Sequence, residues 1–191
     1  MIFMREEEKL AHDVYLTLYE LWGLNIFENI ANSEQTHIDA VKHLLEKFDI
    51  PDPADTSATG VFENSDLQSL YDALIELGSK SLGDALKVGA AIEEIDILDL
   101  EEYLQNTKNS EIRQVFMNLL KGSENHLRAF TSTLEKQTGE IYVPQYMSEE
   151  AYDAIFMAQT KRGPQESGRQ DINQQEVDSR SCGGRGNQNR P

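Results

Sequence analysis

Four long stretches of this sequence place apolar residues three or four positions apart, and no stretch of comparable length alternates with a period of two. That spacing draws one apolar stripe along a helix rather than one face of a strand. The first stretch runs from about Phe3 to Trp22, with Met4, Ala11, Val14, Tyr15, Leu18, Leu21 and Trp22 inward, and ends near Gly23. The second spans about Phe27 to Phe48 on Phe27, Ile30, Ala31, Ile38, Val41, Leu44, Leu45 and Phe48, and stops before Pro51 and Pro53, which do not continue a helix. A third reaches Asn106 on Leu82, Leu86, Gly89, Ile92, Ile97, Leu100 and Leu104. The fourth runs from about Glu111 to Gln137 on Ile112, Val115, Phe116, Leu119, Leu120, Leu127, Phe130 and Leu134, opened by Asn109-Ser110 and closed by Gly139. An all-α fold is expected.

The connections set the topology. Those between helices one and two and between three and four are short, so each pair packs antiparallel. Residues 49–64 form a long link rich in Pro, Asp, Ser, Thr and Gly, followed by a short helix that Ser65-Asp66 would cap, through about Leu77. Ser81 with Asp84 resembles a capping box for the third long helix. Two hairpins joined by one long crossover carrying a short extra helix is the ferritin-like topology of a four-helix bundle. Residues Tyr142 to Phe156 are expected to form a last short segment over one end.

The chain has 191 residues, enough for one ordinary domain, and a formal charge of −17 from 34 acidic and 17 basic residues. That balance repels nucleic acid and anionic membrane surfaces, and attracts cations. No apolar run approaches the length of a membrane span. Met1-Ile2-Phe3-Met4 runs straight into Arg5-Glu6-Glu7-Glu8, which is not a secretory pattern, so a cytoplasmic location is the default expectation, with room for an upstream segment ahead of a helix that starts this early. Cys182 stands alone, which excludes an intramolecular disulfide and a thiolate cluster built by this chain. From Ala158 to Pro191 no aromatic residue occurs, and Gln, Gly, Asn, Ser and Arg dominate. The domain is therefore drawn as 1–157, with 158–191 a disordered polar tail.

The stripes are interrupted where an apolar residue belongs. Glu8 lies in register between Met4 and Ala11/Tyr15, and Glu34 between Ile30 and Val41, with His37 one turn on. Glu93 lies between Gly89 and Ile97 with Asp96 one turn on, and His126 between Leu119 and Phe130. Each long helix thus aims ionisable groups at the bundle axis, where almost no Lys or Arg is available to balance them. Unpaired buried carboxylates either neutralise or find a cation. Carboxylates with imidazoles suit iron or manganese, and the imidazoles also zinc. Glu8, Glu34, His37, Glu93, Asp96 and His126 are the candidate metal ligands. Glu34-x-x-His37 alone is a weak signal; the recurrence across four helices is the informative one. Tyr15 is read as a core aromatic that could also hydrogen-bond a ligand, His12 and His43 as surface residues, Glu6 and Glu7 as acids favoured by the helix dipole, and Trp22 as closing one end.

These residues resemble those of the rubrerythrin-related ferritin-like domains. Glu8 followed by Ala11 and Tyr15 is similar to that family's first-helix pattern, Glu34-Gln35-Thr36-His37 to its second-helix Glu-x-x-His, and Glu93 with Asp96 to its third-helix carboxylate pair, with Asp where Glu is usual. His126-Leu127-Arg128-Ala129-Phe130 resembles the end of its fourth-helix motif, but Ser123 stands where Glu is expected, and Glu124 is turned about 100° away. The resemblance covers roughly residues 3–137. It implies two iron ions, oxygen or hydrogen peroxide as oxidant, peroxide-reducing or ferroxidase-type oxidoreductase activity and, with one cysteine and no Cys-rich iron module, an external electron donor. Either Asp96 replaces the missing helix-four carboxylate, or the site holds one metal tightly and a second weakly, or it has lost oxidase chemistry. A homodimer is compatible with such bundles. The alternative is a non-catalytic bundle that serves as a protein-interaction module with a degenerate metal site; iron storage ranks third.

Overall fold

The computed structural model describes residues 1–54 and 58–160. Among them the chain is helical throughout, with no strand: α1 (Ile2–Trp22), α2 (Asn25–Lys47), α3 (Ser65–Gly78), α4 (Leu82–Asn106), α5 (Ser110–Thr138) and α6 (Glu149–Thr160). The tail expected from 158 lies, from residue 161, outside the described residues; α6 itself runs to Thr160. No described helix is long and apolar enough to cross a membrane.

Helix ends follow local chemistry. Gly23 and Gly139 take the left-handed conformation that closes α1 and α5, with φ of 63° and 78°. Asn64, one residue before the expected Ser65, caps α3 by accepting from the amides of Asp66 and Leu67. Asn109 does the same for α5. Ser81 accepts from the Asp84 amide and donates its hydroxyl to the Asp84 carboxylate at 2.7 Å, so the cap is made by Ser81, with Asp84 bonding the hydroxyl rather than the backbone amide of a full capping box.

Only two residues separate α1 from α2, and three separate α4 from α5; these pairs make the most extensive helix contacts. The α2–α4 connection carries α3, which packs on α1 and α4. One apolar core unites Leu10, Val14, Tyr15, Phe27, Leu86, Ile92 and Phe130 with α3, and a smaller one gathers Met4, Val41, Leu44, Leu100, Phe116 and Leu119 towards the α2–α4–α5 end. The stripes overreach at their ends: Leu21 and Phe48 are exposed. Trp22 donates to the Gly78 carbonyl at 2.9 Å, tying the end of α1 to α3.

Two contacts lock this frame. Phe130, fully buried, lies 5.0 Å from the Tyr15 ring and 5.7 Å from the Phe27 ring, and a Cβ at position 89 would stand 2.6 Å from it. Replacing Gly89 by Ala should cost about 1–3 kcal/mol through overpacking, read from the urea unfolding midpoint, whereas a neutral substitution would mean that the ring can shift.

Glu94 is the second lock. It is completely buried on α4 and accepts from the Tyr142 hydroxyl at 2.7 Å and from the amides of Gln145 (3.0 Å), Tyr146 (2.7 Å) and Met147 (2.9 Å). This one carboxylate folds the segment before α6 back onto the helix. Glu94→Ala should destabilise the chain by about 2–4 kcal/mol and open residues 140–148 to protease, because three amides lose a charged acceptor. Limited proteolysis with the parent's cleavage pattern would contradict that role.

Candidate metal centre

The six residues singled out in the sequence all lie in the interior, none more than 8% exposed. Glu8 comes from α1, Glu34 and His37 from α2, Glu93 and Asp96 from α4, and His126 from α5. Glu34 stands at the middle. Its Oε2 is 2.6 Å from His37 Nδ1 and its Oε1 is 2.7 Å from His126 Nδ1. Glu8 Oε2 approaches His37 Nδ1 at 3.1 Å, and Glu93 Oε2 approaches His126 Nδ1 at 3.6 Å. Two triads result, Glu8–Glu34–His37 and Glu34–Glu93–His126, each with ligand atoms within 4.8 Å of one another and each compact enough for one cation. Asp96 belongs to neither triad, although Glu8, Glu93 and Glu34 all act on its charge.

Apart from the hydrogen bond between His37 Nδ1 and Glu8 Oε2, proximity here is not aligned hydrogen bonding. Both Glu34 oxygens, Glu8 Oε1, Glu93 Oε2, Asp96 Oδ2 and His126 Nδ1 are buried without an aligned hydrogen-bond partner. Buried polar atoms are ordinarily satisfied, and six such atoms converging from four helices are a donor set directed at shared points rather than at each other. Carboxylate oxygens with two imidazole nitrogens are ligands that fit iron or manganese.

Neighbouring groups fix the orientation of this set. Tyr15, read in the sequence chiefly as core, is fully buried and donates to Glu93 Oε1 at 2.6 Å. Ser33 Oγ shares a hydrogen bond of 2.9 Å with His126 Nε2, which leaves Nδ1 facing Glu34. A Cβ on Gly122 would lie 2.5 Å from His37 Nε2, so only glycine leaves the imidazole its place against α5. Neither Ser33 nor Gly122 was singled out in the sequence. A mid-helix glycine, which costs about 1 kcal/mol against Ala, was the available sign for Gly122. Ser123 is buried and bonds back to the Leu119 carbonyl, while Glu124 pairs with Arg128 at 3.5 Å, so α5 adds no carboxylate to either triad.

One expectation fails. The helix dipole does not account for Glu6 and Glu7; both are interior, 4% exposed. Glu6 accepts from the amides of Glu63 (2.8 Å) and Asn64 (3.2 Å) in the crossover, and Glu7 hydrogen-bonds Asp99. The reason is that α1 is packed by α2, α3 and α4, so its outer face is interior as well. His12 is partly buried and bonds Asp13 at 2.9 Å, away from Glu8; His43 is exposed as expected.

Residues 1–159 match a family described as "Uncharacterized protein domain (DUF2202)". The chain belongs to this family. "Uncharacterized protein MJ0754" of the archaeon Methanocaldococcus jannaschii is 56% identical to this DUF2202 chain over 163 residues, covering 85% of it and 88% of the relative. The crystal structure of hypothetical protein MJ0754 from Methanococcus jannaschii matches with a TM-score of 0.79 at 57% identity, over 82% of this chain and 89% of that one. The helical architecture is therefore shared with an experimentally determined relative.

The electrostatics of the metal-free cluster follow from its burial. Burial raises Glu8 to about 7 against the pull of His37. Burial would also raise Glu34, but the two facing imidazoles outweigh it and hold Glu34 at about 2. Burial would lower both histidines; the carboxylates reverse that and raise His37 to about 11 and His126 to about 10. Burial and the neighbouring carboxylates raise Asp96 well above its ordinary range, burial raises Glu93, and burial with the Asp99 hydrogen bond raises Glu7 to about 10.

Groups with raised values hold protons in the folded chain that the unfolded chain releases. Their stabilisation is complete below the unfolded values, near 6.5 for His and 4.3 for Glu, and is lost as pH rises through the folded values. Glu34 works in the opposite sense, and its contribution disappears only as pH falls towards 2. In a chelator, the urea midpoint should therefore decline as pH rises from 6.5 to 10; a flat or rising profile would contradict the cluster's charge pattern.

Proposed function

We propose that this chain is a di-metal carboxylate protein of the ferritin-like class, related to rubrerythrin, in which α1, α2, α4 and α5 form the four-helix bundle and the α2–α4 connection is its crossover. The observation that carries the reading is Glu34, held between an imidazole of its own helix and one from α5 with neither oxygen hydrogen-bonded. Glu34 would bridge two ions, one held with Glu8 and His37, the other with Glu93 and His126. Asp96, buried and in neither triad, would be the further carboxylate available in place of the one that Ser123 does not provide.

A bound iron pair supplies reversible one-electron steps, suited to reducing hydrogen peroxide or oxygen or to oxidising ferrous iron. The chain's own residues do the rest. The apolar walls exclude water, Tyr15 orients Glu93, Ser33 orients His126, and Gly122 gives His37 its place. With Cys182 the one cysteine, electrons for turnover come from an external donor. Ser123 favours a narrower second reading, in which the centre holds metal but has lost turnover and the bundle acts as a protein-interaction module.

The decisive test is metal per chain after anaerobic ferrous loading of the full-length protein. About two irons per chain are expected, with protons released on uptake because both imidazoles must give up theirs, so affinity rises with pH. Glu34→Ala with His37→Ala should remove binding altogether. A parent that takes up no metal, or a double variant that loads as the parent does, sinks the proposal. Peroxide-dependent oxidation of the loaded protein separates the redox reading from the narrower one.

A further inference from the structure

The six candidate ligands lie in the interior, so an ion needs a way in. Between α1, α3 and α4 lies a narrow crevice with about 10 Å³ of free space, roughly room for one water. Half-buried Leu70 and Ile95 stand at its sides, and buried Leu10, Leu67 and Ile92 line it. Its two polar lining residues are Glu7 and Asp96, each 4% exposed, with Glu7 Oε2 and Asp96 Oδ2 unpartnered. A structural pair of acids this deep would be expected to satisfy its oxygens within the fold. The carboxyl groups also form a continuous series. Half-buried Asp99 bonds Glu7; Glu7 acts on Glu8's neighbour Asp96; and Asp96 feels Glu8, Glu93 and Glu34. No basic residue lines the crevice.

We infer that this crevice is the cation entrance to the centre, with Glu7 and Asp96 as the carboxylates that pass a divalent ion from the α1–α3–α4 surface to Glu8 and Glu93. The inference rests on the metal reading above and adds to it a residue, Glu7, that belongs to neither triad. Apolar walls make the passage narrow, and carboxyl oxygens as its only polar lining offer ligands to a cation and none to an anion. α3 then has a purpose beyond covering the core: it forms one wall of the passage.

The test is anaerobic stopped-flow mixing of the metal-free full-length chain with Co(II), whose visible absorption reports coordination. Glu7→Gln should reach the parent's final cobalt content and spectrum, with uptake at least tenfold slower. Ile95→Trp, which narrows the mouth and leaves every charge in place, should slow uptake with the same end point. Glu101→Gln, on the exposed face of α4, should load at the parent rate. If Glu7→Gln fills at the parent rate with the parent's spectrum, the entrance is elsewhere and the centre stands. If the parent itself takes up no cobalt, centre and entrance fall together. If Glu7→Gln does not fold, Ile95→Trp decides alone: slowed filling supports the route, and parent-rate filling overturns it.

Discussion

Charge balance in a dry interior governs this fold. Glu34 lies between two imidazoles, and Glu8, Glu93 and Asp96 crowd the same space. Two imidazolium charges offset only two of four carboxylates. Burial and the neighbouring carboxylates push Glu93 and Asp96 towards their protonated forms, which relieves the remaining charge. The metal-free core is thus loaded with protons at positions where metal ligands must be deprotonated. On the proposed reading, protons and cations would compete for one set of atoms, and the same helices would have to stay packed with either occupant.

The set stays in place because α1 is gripped on its outer side as well. Lys9 reaches the carbonyls of Ala58 at 2.9 Å and Val61 at 3.3 Å, Asp13 accepts from the Gly60 amide at 2.8 Å, and Arg5 pairs with Asp52 at 3.2 Å. With Glu6 on Glu63 and Asn64, the crossover backbone finds its partners on α1 side chains. A loop pressed against a helix needs such partners for its otherwise unsatisfied amides and carbonyls. Glu8 lies between these contacts in sequence, so the strap that holds the outer face of α1 also sets the depth at which Glu8 meets His37.

That two-sided burial marks where the sequence stops being legible. A 3.6-residue stripe identifies one buried face, and it located Glu8, Glu34, His37, Glu93, Asp96 and His126 because each interrupts an apolar run. It gave no sign that Arg5, Glu6, Glu7, Lys9 and Asp13 are interior too, since polar residues on the far side of a stripe read as solvated. Glu94 escaped for a different reason. Its partners lie about fifty positions away, and long-range acceptors leave no local pattern. The helix caps were legible to within one residue, as Asn64 against Ser65 shows, because capping is a matter of neighbouring residues.

The two triads are chemically unequal, and the inequality traces to the fourth long helix. Glu93 has one oxygen committed to Tyr15, and its other stands 3.6 Å from His126; Glu8 meets His37 at 3.1 Å and keeps Oε1 unpartnered. Asp96 is coupled most strongly to Glu8, after its own burial. With a serine at 123, α5 cannot restore the balance on the Glu93 side. Glu8 and Glu93 thus each keep one unpartnered oxygen, and Asp96, which acts most on Glu8, adds a further one beside the crevice between α1, α3 and α4 that Glu7 and Asp96 line. On the proposed route a cation would meet the Glu8 side first, and Glu34, facing both imidazoles, would be the group through which its arrival alters the other.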